Sequence, residues 1–160
     1  MKQLVDYIEM RVPAKSEYVA VIRLTLSGIA NRMGYEYDAI EDLKIAVSEA
    51  CTNAVQHAYK NVEDGNIVVG FAIYEGKLEV MIADNGKSFD FEKTKSELGP
   101  YSESSPIDDL SEGGLGIYLM ETLMDEVRVL NNAGVTVFMV KYLSEERVNH
   151  DPTISSYKAN

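Results

Sequence analysis

The chain has 160 residues, 15 basic and 26 acidic, for a formal charge of −11. That length suits one domain, and the acidity argues against a nucleic acid partner, because phosphate binding wants a basic face. A hydrophobic fraction of 46%, a lone cysteine (Cys51), no basic-then-apolar leader and no long apolar run lead us to expect a soluble cytoplasmic protein. Such a protein would lack disulfides, a signal peptide and a membrane span.

Residues 7–12 alternate and stop at Pro13, which reads as a strand. Ser16 is placed as the N-cap of a first helix and Gly34 as its stop. Tyr18, Ile22, Leu26 and Ile29 form one stripe of that helix. Its far side holds Ala20, Leu24, Ser27 and Gly28, with Arg23 beside them. So little charge there suggests either cover within the monomer or a protein contact surface.

Asp38 followed by Glu41 resembles a capping box and opens a second helix reaching about Tyr59. Leu43, Val47, Ala50, Cys51, Ala54 and Ala58 make its apolar stripe. Residues 66–74 and 77–83 are apolar and rich in β-branched side chains, and Glu75-Gly76 joins them as a hairpin. Between 85 and 112 the pattern fails amid Gly, Pro, Ser and acidic residues. That stretch is far longer than the ~4–6 residues of a common connection and reads as a lid, a binding loop or disorder. Helical period resumes at Leu115, with Leu119, Met120, Leu123 and Met124. Strands over 127–130 and 135–143 follow, joined by a turn at 131–134, and a polar tail occupies 146–160 after a domain spanning 1–145.

Strands joined by a tight hairpin are antiparallel. A doubly wound parallel sheet is therefore excluded. The expected class is α+β, an α/β sandwich with a mixed, mostly antiparallel sheet and helices on one face.

Three constellations could carry chemistry. Glu49 and Asn53 lie four apart on one face of the second helix, opposite its apolar stripe, and His57 continues the row. Such a row is either a solvated face or a site, and Ala46 and Ala50 leave room beside it. Asp84-Asn85-Gly86 ends a strand. It is either a turn or a carboxylate able to accept from an exocyclic amine, with Gly86 admitting a ring close to the backbone. Gly113-Gly114-Leu115-Gly116 stands where the long loop becomes a helix. It is either a hinge or a phosphate site made from free N–H groups at the helix start. Neither the Rossmann nor the Walker spacing is present.

Taken in order, these motifs resemble the Bergerat ATP-binding fold of the GHKL superfamily. The run SEACTNAVQHAY from Ser48 to Tyr59 resembles the N box of bacterial anti-sigma-factor serine kinases. Asp84-Asn85-Gly86 is similar to the start of their G1 box and the EGGLG of Glu112 to Gly116 to their G2 box. The likeness runs from Tyr7 to about Tyr142. It implies that Asn53 ligates Mg²⁺ on ATP, that Glu49 deprotonates the attacking hydroxyl, and that Asp84 reads the adenine amine. Thr136 would assist Asp84 through water, Gly86 would make room for the purine, and Gly114 and Gly116 would donate N–H groups to phosphates. Arg23 would contact protein partners, and residues 85–112 would form an ATP lid. Two departures stand out: Ser88 replaces the second G1 glycine, and no Lys or Arg occurs between Ser96 and Asp125. Charge neutralisation at a transferred phosphoryl group would then fall to Mg²⁺, the helix start, the nearby lysines or a partner.

The resemblance implies a protein serine kinase that holds a sigma-B factor off RNA polymerase. It would phosphorylate a serine of an anti-sigma factor antagonist, which competes for it. It also implies a homodimer, to which the N-terminal strand would lend a sheet edge. The alternative is a nucleotide-dependent sigma-factor clamp with little kinase activity, in which Glu49 has no evident task. A histidine-kinase fragment is disfavoured, since 160 residues leave no room for a phospho-acceptor hairpin.

Overall fold

A computed structural model describes residues 3–61, 65–84, 93, 96, 114–131 and 134–144. The chain opens with β1 (Leu4–Pro13), a 3₁₀ turn (Ser16–Tyr18), α1 (Val19–Met33) and α2 (Tyr37–Asn61). The hairpin strands β2 (Asn66–Tyr74) and β3 (Lys77–Ala83) follow, then α3 (Gly114–Leu123), β4 (Glu126–Asn131) and β5 (Val135–Tyr142). The lid expected over 85–112, including Gly86 and Ser88, and the tail after 145 lie outside the described residues apart from 93 and 96.

The strands form one five-stranded sheet in the order β1-β2-β3-β5-β4. Each of its four pairings is antiparallel, without the parallel component a mixed sheet would contain. Glu75 and Gly76 sit in the two-residue link, with Ile73 opposite Leu78. Gly34 caps α1 with φ +93°, and its N–H reaches the carbonyls of Ala30 and Asn31. That left-handed conformation is the one a glycine adopts without cost.

Two helix starts differ from expectation. Ser16 opens the 3₁₀ turn, and α1 begins three residues later, with no side-chain cap on either. At α2 the helix already includes Tyr37, and Glu41 pairs with Lys44 at 2.9 Å. A neighbour one turn along the helix thus takes the carboxylate that a capping box would turn back.

The sheet alternates strictly, and this positions everything else. Ile67, Val69, Phe71, Leu78, Val80, Ile82, Val137 and Met139 face the helices. There they meet Ile22 and Leu26 of α1, Leu43, Val47, Ala50 and Cys51 of α2, and Ile117 and Met120 of α3. A second apolar cluster, Ala72, Tyr74, Met81, Phe138 and Val140, occupies the opposite sheet face. Burying a leucine such as Leu43 completely makes its truncation to alanine cost ~2–5 kcal/mol. The helix layer therefore holds α2 firmly against the sheet, with α1 on one flank and α3 on the other.

Candidate active site

Because the stripe from Leu43 to Ala54 fixes the rotation of α2 on the sheet, the row Glu49, Asn53, His57 turns away from the core. Both Glu49 and Asn53 are half-buried. They meet the first turn of α3 at Gly116. A Cβ on Gly116 would lie 3.2 Å from Glu49 Oε2 and 3.4 Å from Asn53 Nδ2. Hydrogen in place of a side chain lets the two elements approach this closely. One residue pair of the N-box-like run and one glycine of the G2-like run are thus brought together across more than sixty residues of chain. Gly114 is the first residue of α3, where backbone N–H groups lack helical acceptors. The carboxylate of Glu49 and the amide of Asn53 therefore stand beside an end of a helix that favours anions.

Asp84 follows the last residue of β3, and its side chain is 3% exposed. Oδ1 accepts the Val135 N–H at 3.0 Å, and the Asp84 N–H points back to the Val135 carbonyl at 3.4 Å. Nδ1 of His57 meets Oδ2. A carboxylate removed from water is costly unless it is paired, and here a strand supplies a donor to one oxygen and a helix brings an imidazole to the other. The row on α2 therefore ends on Asp84, a convergence that its i, i+4 spacing carries but that the sequence reading left unused.

Thr136 requires a correction. It pairs with Ala83, one residue before Asp84. Directly opposed residues share a sheet face, and Ala83 and Thr136 lie on the side of Met81 and Phe138, away from the helices. Asp84 is reached by His57 of α2 from the helix side. The side chain of Thr136 is thus separated from Asp84 by the sheet itself. Its neighbour Val135 makes the contact, through the backbone.

Arg23 is exposed on α1, as expected, but it is engaged. Its Nη1 donates to Ser48 Oγ at 3.4 Å, and its charge is felt by the Cys51 thiol. Ser48 directly precedes Glu49, so the residue that Arg23 meets and the candidate site share one stretch of α2. Around Arg23 the exposed side chains are apolar, with Val21 at 44% and Leu24 at 74%. Burial pushes the Cys51 thiol up to about 12, against a smaller downward pull from Arg23.

With this geometry the comparisons are consistent. The family described as "Histidine kinase-like ATPase domain" matches residues 12–141. The chain belongs to that family. It is 65% identical to the "Serine-protein kinase RsbW" of Bacillus subtilis strain 168 over 160 residues, covering all of both chains. A protein of the same name from Oceanobacillus iheyensis is 60% identical over 146 residues, 91% of this chain and 92% of that one. The Bacillus cereus protein is 54% identical over 160 residues, 99% of each. Among solved structures, the RsbU and RsbW domains of Rv1364c from Mycobacterium tuberculosis superpose with a TM-score of 0.62 at 22% identity. That match covers 87% of this chain and 33% of the other, and it supports the fold. The full-length likeness to serine-protein kinases places this chain among kinases of that kind.

Proposed function

We propose that this chain is an anti-sigma factor and protein serine kinase. It withholds a sigma-B factor from RNA polymerase and uses Mg·ATP to phosphorylate a serine of the factor's antagonist, which removes that competitor. The observation that carries the kinase reading is the contact of Gly116 with Glu49 and Asn53. It sets a proton acceptor beside the Asn53 amide and a helix start. A sigma-factor clamp without chemistry would have no use for that carboxylate.

Each residue then has a task. Glu49 accepts the proton of the attacking serine hydroxyl. Gly114 and Gly116 offer N–H groups to the phosphates. Asp84, an acceptor, reads the exocyclic amine of adenine, and Gly86 leaves room for the purine. A hard oxygen donor on Asn53, next to a phosphate-binding helix end, suits Mg²⁺, which keeps several waters and takes phosphate oxygens. Asn53 would hold it, and bound there it would neutralise charge on the phosphates. Arg23 and the apolar side chains beside it meet the protein partners. A homodimer is part of the same proposal. β1 is an edge of the sheet, and Leu4, Val5 and Ile8 on it are exposed. Light scattering at micromolar concentration checks this, and a monomer mass with and without nucleotide counts against it.

The deciding experiment mixes the purified protein with γ-labelled ATP and a candidate antagonist. Labelled phosphoserine on the antagonist is the expected result. ATP binding and sigma-factor retention without any label would favour the clamp.

A further inference from the structure

We infer that His57 is a positioning residue for the base-reading carboxylate, holding Asp84 so that it accepts adenine and refuses guanine. The inference rests on the nucleotide-site reading above and extends it to a residue that reading leaves without a role.

The geometry has three parts. Nδ1 of His57 meets Oδ2 of Asp84, while Oδ1 is held by the Val135 N–H at 3.0 Å. The sheet donates to one oxygen and the imidazole on the helix layer meets the other, so each oxygen has its own neighbour. The Asp84 side chain is 3% exposed and that of His57 39% exposed. The half-exposed imidazole thus reaches from α2 to a buried carboxylate.

For the contact to be attractive, Nδ1 carries the proton; the tautomer is assigned from this contact. A carboxylate has about four lone-pair positions and no donor when ionised. Two of them face the Val135 N–H and His57 Nδ1. The remaining lone pairs can receive an amine hydrogen. They repel a keto oxygen at the same position of the ring. Without His57 the Oδ2 side of the carboxylate is no longer tied. It can turn, and turning relaxes the choice between amine and keto.

The test compares equilibrium binding of ATP and GTP, each with Mg²⁺, to the wild type, His57→Ala and His57→Asn. The readout is the ratio of the two dissociation constants in the same preparation, which an unfolded fraction does not change. His57→Ala is expected to narrow the preference for ATP by about ten-fold or more, the scale of a lost hydrogen bond to a charged group. His57→Asn, whose amide nitrogen takes the place of Nδ1, is expected to recover most of it. A preference unchanged in His57→Ala overturns the inference. So does a loss in both variants alike, which would mean that the ring acts by bulk and not as a donor. Failure of the wild type to bind either nucleotide would instead defeat the nucleotide-site reading itself.

Discussion

The two flanks of α2 are built for different work. Toward α3 the helix presents Glu49 and Asn53 against a glycine, with polar atoms 3.2 and 3.4 Å from where a side chain would begin. Toward α1 it presents Ser48 to Arg23 and seals Cys51 beneath them. The first flank is close-packed around groups that can move a proton. The second is a polar contact 3.4 Å long, at the far limit of a hydrogen bond, beside exposed apolar side chains. Ser48 and Glu49 are neighbours in the chain and yet belong to different flanks. The proposed chemistry and the proposed partner contact can therefore be separated by side chain but not by distance.

Replacing Glu49 breaks the comparison most severely. Glu49→Gln keeps the shape against Gly116 and removes the proton acceptor. The chemical step should slow by ~10²–10⁴-fold, while ATP and sigma-factor binding persist. Single-turnover phosphorylation of the antagonist, with binding measured in parallel, reads both. Normal phosphorylation by this variant would take Glu49 out of the mechanism.

Gly116→Ala should give the next largest effect, with an unusual sign. Alanine is the better helix former by ~1 kcal/mol, so thermal stability should hold or rise. The added methyl nevertheless crowds Glu49 Oε2 and Asn53 Nδ2, and phosphorylation should fall by about ten-fold or more, since small misplacements of catalytic groups are costly. A melting curve set beside the kinase assay checks both. A drop in stability that matches the drop in activity would make Gly116 a folding residue only.

Much of this arrangement was legible in the sequence. The first strand followed from two-residue alternation, and the central hairpin from two apolar, β-branched runs around a two-residue link. Gly34 was readable because a helix stop needs a left-handed residue. The pairing of Glu49 with Asn53 needed only the pitch of a helix. What escaped depended on packing between elements. The reach of Arg23 to Ser48 is set by how α1 lies on α2, and no spacing encodes that. The Glu41 carboxylate had two partners in range and took Lys44. Thr136 was misplaced although Val137 and Met139, both facing the core, already put residue 136 on the other side of the sheet. His57 was seen to extend the row, but the strand end it meets lies 27 positions onward.

On the α1 flank, Arg23→Ala should leave ATP binding intact and weaken association with the sigma factor and the antagonist by more than ~1 kcal/mol if the arginine anchors the interface. Ser48→Ala separates this from a structural role. If Arg23 only ties α1 to α2, the two variants will lose partner affinity equally. If the guanidinium itself meets the partner, Ser48→Ala will bind nearly as well as the wild type. Titration calorimetry or surface binding with each variant decides between them.

The smallest effect lies beneath that contact. Only the thiolate attacks a disulfide reagent, and burial pushes the Cys51 thiol up to about 12. At pH 8 that leaves about one molecule in ten thousand ionised, in addition to the steric shield of a fully buried side chain. The native protein should therefore react with a chromogenic disulfide orders of magnitude more slowly than the same chain in denaturant. Arg23 pulls the thiol downward, so Arg23→Ala alone should make the reaction no faster. A clear acceleration in that variant would mean that the seam between α1 and α2 opens when the arginine is gone. The contact with Ser48 would then be holding the helices together, and any loss of partner affinity in Arg23→Ala would be explained by the opened seam rather than by a missing anchor.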